Sequence, residues 1–143
     1  MKRKFLTFTT FILLAIMSVV CLVACDKQGK AKAEIVSKTD TVVVIKIVEE
    51  EPWSTLISAM EYLKEEGELT FEMTDKMITS IENKANAADF SRCWMLYTSD
   101  AEMSNTEWGT YEYDGKTLGS AILGAESLEV VASEIYVWVY TTF

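Results

Sequence analysis

The chain has 143 residues, with 22 Asp and Glu against 13 Lys and Arg and no histidine. Removing the three basic residues of the N-terminal segment described next leaves 10 basic against 22 acidic side chains, near −12. Such an acidic body repels nucleic-acid phosphates, so no nucleic-acid partner is expected. Without histidine the usual general base, metal ligand and partner of a serine or cysteine nucleophile are missing. No carboxylate or lysine spacing replaces them, and no enzyme activity is expected.

Met1-Lys2-Arg3-Lys4 forms a positive start, and Phe5 to Val20 is apolar apart from Thr7, Thr9, Thr10 and Ser18. That is the layout of a secretory signal. An uncleaved membrane anchor is the competing reading, because Phe5 to Ala24 matches the ~20 residues needed to span a bilayer. Leu22-Val23-Ala24-Cys25 decides for the signal: the tetrad resembles the bacterial lipobox, an aliphatic residue and two small ones before a cysteine. The resemblance implies that Cys25 is acylated on sulfur and becomes the first residue of the mature chain, with residues 1–24 and Cys21 removed. Each buried methylene contributes about 0.8 kcal/mol, so a pair of acyl chains holds stably where one is marginal. The expected location is the outer, extracellular face of the cytoplasmic membrane, with the lipid anchor as the membrane contact.

About 119 residues follow Cys25, enough for one core and too few for two domains. Cys93 is the one unmodified thiol left, so no intramolecular disulfide is expected and packing must hold the fold.

Residues 25–40 carry Lys27, Lys30, Lys32 and Lys38 among small and polar side chains without an apolar period. They read as a flexible tether spanning roughly 20 Å, and residues 41–143 as the folded domain. Thr41 to Val48 is dense in β-branched residues and apolar on both faces except at Lys46, the pattern of a central strand. Ser54 is placed to cap a helix reaching about Glu66, with Leu56, Met60 and Leu63 on one stripe and Gly67 as the left-handed residue past its end.

Glu68 to Met73 alternates as a half-buried strand, Thr74-Asp75-Lys76 is a turn, and Met77 to Ile81 is a short strand. Glu82 to Asp89 reads as a polar connection. Arg92 to Thr98 is a strand with apolar residues on both faces, and Ser99 to Trp108 a polar loop. Asp114-Gly115 marks a tight hairpin. Leu118 to Leu128 is ambiguous, Leu128 to Ala132 reads as a strand, and Ile135 to Thr142 as a long final one.

Four short stretches carry a resemblance over Val42 to the C-terminus: Ser54 to Leu63, Met77-Ile78-Thr79-Ser80-Ile81-Glu82-Asn83, Cys93-Trp94-Met95-Leu96-Tyr97-Thr98-Ser99-Asp100, and Val137-Trp138-Val139-Tyr140-Thr141. Together they resemble the bacterial domain family related to the C-terminal, cobalamin-capping domain of transcobalamin and intrinsic factor. The family's Gly-Asp before the closing strand is replaced here by Ser133-Glu134. The resemblance implies an α+β fold of β-grasp type, one main helix on a mixed sheet, with cobalamin or another corrinoid as ligand.

Aromatic residues are the candidate ligand contacts: Trp94, Tyr97, Trp108, Tyr136, Trp138 and Tyr140. On the last strand Tyr136, Trp138 and Tyr140 share one face, and Ile135, Val137 and Val139 the other. The aliphatic face is expected to meet the helix, leaving the aromatic face as a shelf for a flat ligand or as a cover for the sheet. Trp108 reads as an exposed loop side chain and Cys93 as a packing residue. Asp100, Glu102 and Glu107 match no calcium loop. The expected role is a lipid-anchored module that binds a small ligand and passes it to a membrane transporter; a scaffold that binds an envelope protein is the alternative.

Overall fold

The computed structural model describes residues 32–50 and 53–143. The expected signal peptide, Cys25 and the start of the expected tether lie outside the described residues. Among those described, no helix is long and apolar enough to cross a membrane.

Among the described residues, nine strands and one helix make a sheet-dominated α+β fold. The strands are β1 (Ala33–Lys38), β2 (Val42–Ile47), β3 (Phe71–Thr74), β4 (Met77–Ile81), β5 (Lys84–Ala85), β6 (Arg92–Thr98), β7 (Ser104–Tyr113), β8 (Lys116–Ala121) and β9 (Ile135–Thr142); α1 is Leu56–Glu65. Six strands form one sheet in the order β1-β2-β9-β6-β8-β7, and β3-β4-β5 form a second. Every pairing among them is antiparallel, where a mixed sheet was expected. Tight turns account for much of this, since a two-residue connection reverses the chain.

Three of those turns use two successive left-handed residues, Asp75-Lys76 (φ 49° and 70°), Glu82-Asn83 (49° and 61°) and Asp114-Gly115 (49° and 72°). That geometry matches the twist of the flanking strands. Only the Asp114-Gly115 turn carries the glycine that makes it easy to see in the sequence.

Helix α1 starts after Thr55, one residue later than expected; Thr55 makes no side-chain bond to the helix backbone, and its Oγ1 instead meets Ser58 Oγ at 3.1 Å. At the other end Gly67 adopts φ 77°, and its N–H donates to Lys64 O at 3.1 Å while Glu68 N–H donates to Leu63 O at 2.8 Å. This pair of reversed bonds satisfies carbonyls that the helix leaves open.

The main core lies where α1 and the small sheet cover one face of the large sheet. Leu56, Ala59, Met60 and Leu63 pack with Val43, Ile45 and Ile47 of β2, with Tyr136 and Trp138 of β9, and with Ile78 and Ile81 of β4. A second cluster joins Val44 and Val137 to Tyr97 and Leu118, with Tyr111 and Tyr113 of β7 packed against it. The cluster runs from β2 through β9, β6 and β8 to β7, along one face of five neighbouring strands. Val43, Val44 and Ile45 are therefore all fully buried, which is why β2 reads as apolar on both faces.

Four further expectations are corrected. Ala33–Lys38, placed in the tether, forms β1 and pairs with β2 from Ala33↔Ile47 to Lys38↔Val43. Ser104 to Trp108, read as loop, belongs to β7, whose register with β8 slips between Asn105 and Thr110; the slip and the polar side chains of an edge strand hide the alternation. Leu128 to Ala132 forms no strand and contributes one isolated bridge, Thr55↔Glu129. The aromatic side of β9, not the aliphatic side, faces α1. A helix of 10 residues leaves volume beside it that indole and phenol rings fill better than valines, while the valines pack with Tyr97, Leu118, Tyr111 and Tyr113 on the other face.

Candidate functional site

Strand β6 pairs with β9 along its whole length, from Arg92↔Thr142 to Thr98↔Tyr136, but with β8 only at Tyr97 and Thr98. Between residues 93 and 96 its other edge is open. A cleft of about 360 Å³ lies there, walled by the β3–β4 turn, the residue 120–125 segment and β6 itself.

Asn86 builds this cleft. Its Nδ2 donates to Ile78 O at 2.9 Å and its Oδ1 accepts Trp94 N–H at 2.9 Å. One side chain thus ties the small sheet to the large one and caps part of the open edge. Ala87 N–H adds a bond to Arg92 O at 2.8 Å.

Trp94, Leu96 and Trp138 form the inner surface of the cleft, and all three are almost fully buried. The two indoles differ in one respect. Trp94 Nε1–H donates to Lys84 O at 2.7 Å, whereas Trp138 Nε1 is buried with no acceptor. The mouth is greasy: Met77, Phe90, Ile122 and Leu123 line it and are respectively 52%, 56%, 39% and 41% exposed. Four large apolar side chains exposed around one concavity are unusual on a protein surface that has no use for them.

Charges at the cleft are few. Lys76 is held by Glu126 at 2.9 Å, and the hydrogen bond and attraction from Glu126 raise the lysine pKa. Cys93 is partly buried beside Met95, with Sγ to Sδ 3.9 Å; burial pushes its thiol up, so the unreactive thiol form is favoured. Among the described residues no group of three His, Cys, Asp or Glu is arranged to hold a metal.

The six aromatic candidates separate into five settings. Trp94 and Trp138 line the cleft. Tyr140 stands behind Trp94, rings edge-to-face at 5.3 Å, with its hydroxyl on Ala85 O at 2.9 Å and Lys84 Nζ over its ring at 4.6 Å; it braces the cleft. Tyr136 is wholly buried, its hydroxyl accepting Val131 N–H at 3.0 Å, and burial together with nearby carboxylates pushes its pKa up to about 12. Tyr97 lies in the second cluster against Tyr111, 5.8 Å between rings. Trp108 is 64% exposed on β7, at the sheet edge and away from the cleft residues.

The rim residues Phe90, Ile122 and Leu123 escaped the sequence reading. Phe90 sits at φ 55° in a polar stretch and Ile122-Leu123 in an ambiguous one, so neither shows an apolar period. The usable signal was apolar residues without a period beside Gly124, which marks side chains that serve no strand.

Comparison with protein-family models, with curated proteins and with solved structures found no match.

Proposed function

We propose that this chain is a lipid-anchored binding module of the outer cell surface that holds a small ligand in the cleft beside β6. The observation that carries the reading is the cleft itself: two indoles at the back and four exposed apolar side chains at the mouth. A concave apolar site with few polar groups is the usual form of a small-molecule site, and ~360 Å³ is at the small end of the roughly 300–1,000 Å³ typical of them. The lipobox-like tetrad ending at Cys25 supports the anchor, and the likeness to cobalamin-capping domains, with the β-grasp kinship that goes with it, makes a corrinoid the first ligand to try.

Titration of the full chain in phospholipid nanodiscs with cobalamin and with cobinamide, followed by tryptophan emission, tests the ligand. Saturable quenching that Trp94→Phe weakens is the expected result, and a flat response to both removes the corrinoid. Labelling cells with a fatty-acid probe tests the anchor: wild type takes the label and Cys25→Ser does not.

A second reading, a protein-interaction module, is favoured by one observation, the exposure of Trp108 on edge strand β7. Crosslinking in cells that captures one envelope protein through β7, and loses it in Trp108→Ser, would favour this reading.

A further inference from the structure

The cleft next to β6 carries information about the chemistry of its occupant, and the inference below rests on the reading of that cleft as a ligand site. Its capacity, about 360 Å³, suits one fused ring system, so of a ligand as large as a corrinoid only an edge or one side group would enter. Its back is formed by two indoles and a leucine, Trp94, Trp138 and Leu96, which favour a flat apolar body through offset or edge contacts.

The polar features are more selective. The one cation on the lining, Lys76, is already paired with Glu126 at 2.9 Å, and Asp75 adds a carboxylate to the same wall. The whole chain carries a net −9. An anionic ligand would enter against that field and find no free counter-ion. One donor does lack a partner: Trp138 is 5% exposed and its Nε1–H meets no acceptor, a condition that buried donors rarely tolerate. A neutral acceptor at the inner end of a ligand would satisfy it.

We infer that the cleft takes a flat, apolar ring ligand that carries an uncharged hydrogen-bond acceptor and no anionic group. Affinity comes from the ring against Trp94 and Leu96, orientation from the acceptor on Trp138 Nε1–H. The methionines at the wall, Met77 and Met95, adapt to ring shape through their unbranched, polarizable side chains.

The test uses the full chain in phospholipid nanodiscs and two probes that share one ring, 1-naphthaleneacetamide and 1-naphthaleneacetate. NMR reads contacts from the naphthalene protons to the methyls of Met77 and Met95, and the indole N–H resonances of the four tryptophans, with Trp138 assigned by its absence in Trp138→Phe. The amide is expected to bind at these methyls at least about tenfold more tightly than the carboxylate, a factor matching one unfavourably placed charge, and to move the Trp138 indole signal downfield more than the other three. Equal or tighter binding of the carboxylate at the same methyls overturns the ligand class and leaves the site standing. Binding of the amide with an unmoved Trp138 signal overturns the acceptor assignment. No saturable contact with Met77 or Met95 from either probe removes the site itself.

Discussion

Asn86 and Trp94 share the bond on which the cleft depends: Asn86 Oδ1 accepts Trp94 N–H at 2.9 Å while the same amide donates to Ile78 O at 2.9 Å. Trp94 belongs to the large sheet and Ile78 to the small one. Neither strand could offer the other a ladder at this distance, so a side chain with one donor and one acceptor spans the gap.

Removing that side chain strands two backbone groups. Asn86→Ala is expected to lower unfolding free energy by about 2 kcal/mol, from one donor and one acceptor left unpaired in a partly buried place. Asn86→Asp keeps the acceptor for Trp94 but at neutral pH sets a carboxylate oxygen against Ile78 O, so a loss no smaller than that of Asn86→Ala is expected. Urea unfolding measures both, and a loss well below about 2 kcal/mol for Asn86→Ala would contradict the two-bond account.

Tyr136 gives the fold an alkaline weakness. Burial first, then the carboxylates of Asp100, Glu134 and Glu50, raise its pKa to about 12 from 10.0, against the opposing bond from Val131 N–H. Because the folded value lies above the unfolded one, its contribution is complete below pH 10 and is lost as pH climbs from about 10 to about 12. The loss approaches roughly 2–3 kcal/mol for a shift of this size. Stability of Tyr136→Phe should be flatter than wild type over that range. It should also be lower near neutrality by about 1 kcal/mol, because Val131 N–H loses its acceptor.

Gly119 is the tightest point of the β7–β8 hairpin. A Cβ there would lie 2.9 Å from Ser104 Cβ and 3.2 Å from Asn105 N, where β7 slips register. Gly119→Ala is expected to cost about 1–3 kcal/mol through displaced backbone. Ser104→Gly in the same chain removes the nearest clash and should recover part of the loss, read as a return of the urea midpoint.

Trp108 contributes little to folding despite its size. With 64% of it exposed, Trp108→Ser should change stability by no more than about 0.5 kcal/mol in either direction. A larger loss by urea unfolding would show that its ring packs on the sheet.

Much of the fold was legible where local chemistry is strong. The density of β-branched residues in Thr41 to Val48, the stripe of Leu56, Met60 and Leu63, the left-handed Gly67 and the Asp114-Gly115 turn each correspond to an observed element. Ile135–Thr142 was read to the residue. Ala33–Lys38 was missed because its inward side, Ala33 and Ile35, continues into polar Ser37 while apolar Val36 falls on the exposed side with Glu34 and Lys38, and lysines nearby mimic a tether. The turns at Asp75-Lys76 and Glu82-Asn83 adopt left-handed backbone without glycine, so composition alone understates them.

By itself the sequence determined which segments could pair or coil, because strand and helix periodicity and turn chemistry act over a few neighbouring residues. It also determined that no histidine chemistry operates here and that the chain bears a strong negative charge. Only the tertiary structure decided which face of β9 meets the helix, and that Trp94 and Trp138 share a cleft with Phe90, Ile122 and Leu123. Those outcomes depend on how volumes fill between elements distant in sequence: rings go where a short helix leaves space, and a strand edge stays open where its neighbour diverges after two residues of pairing.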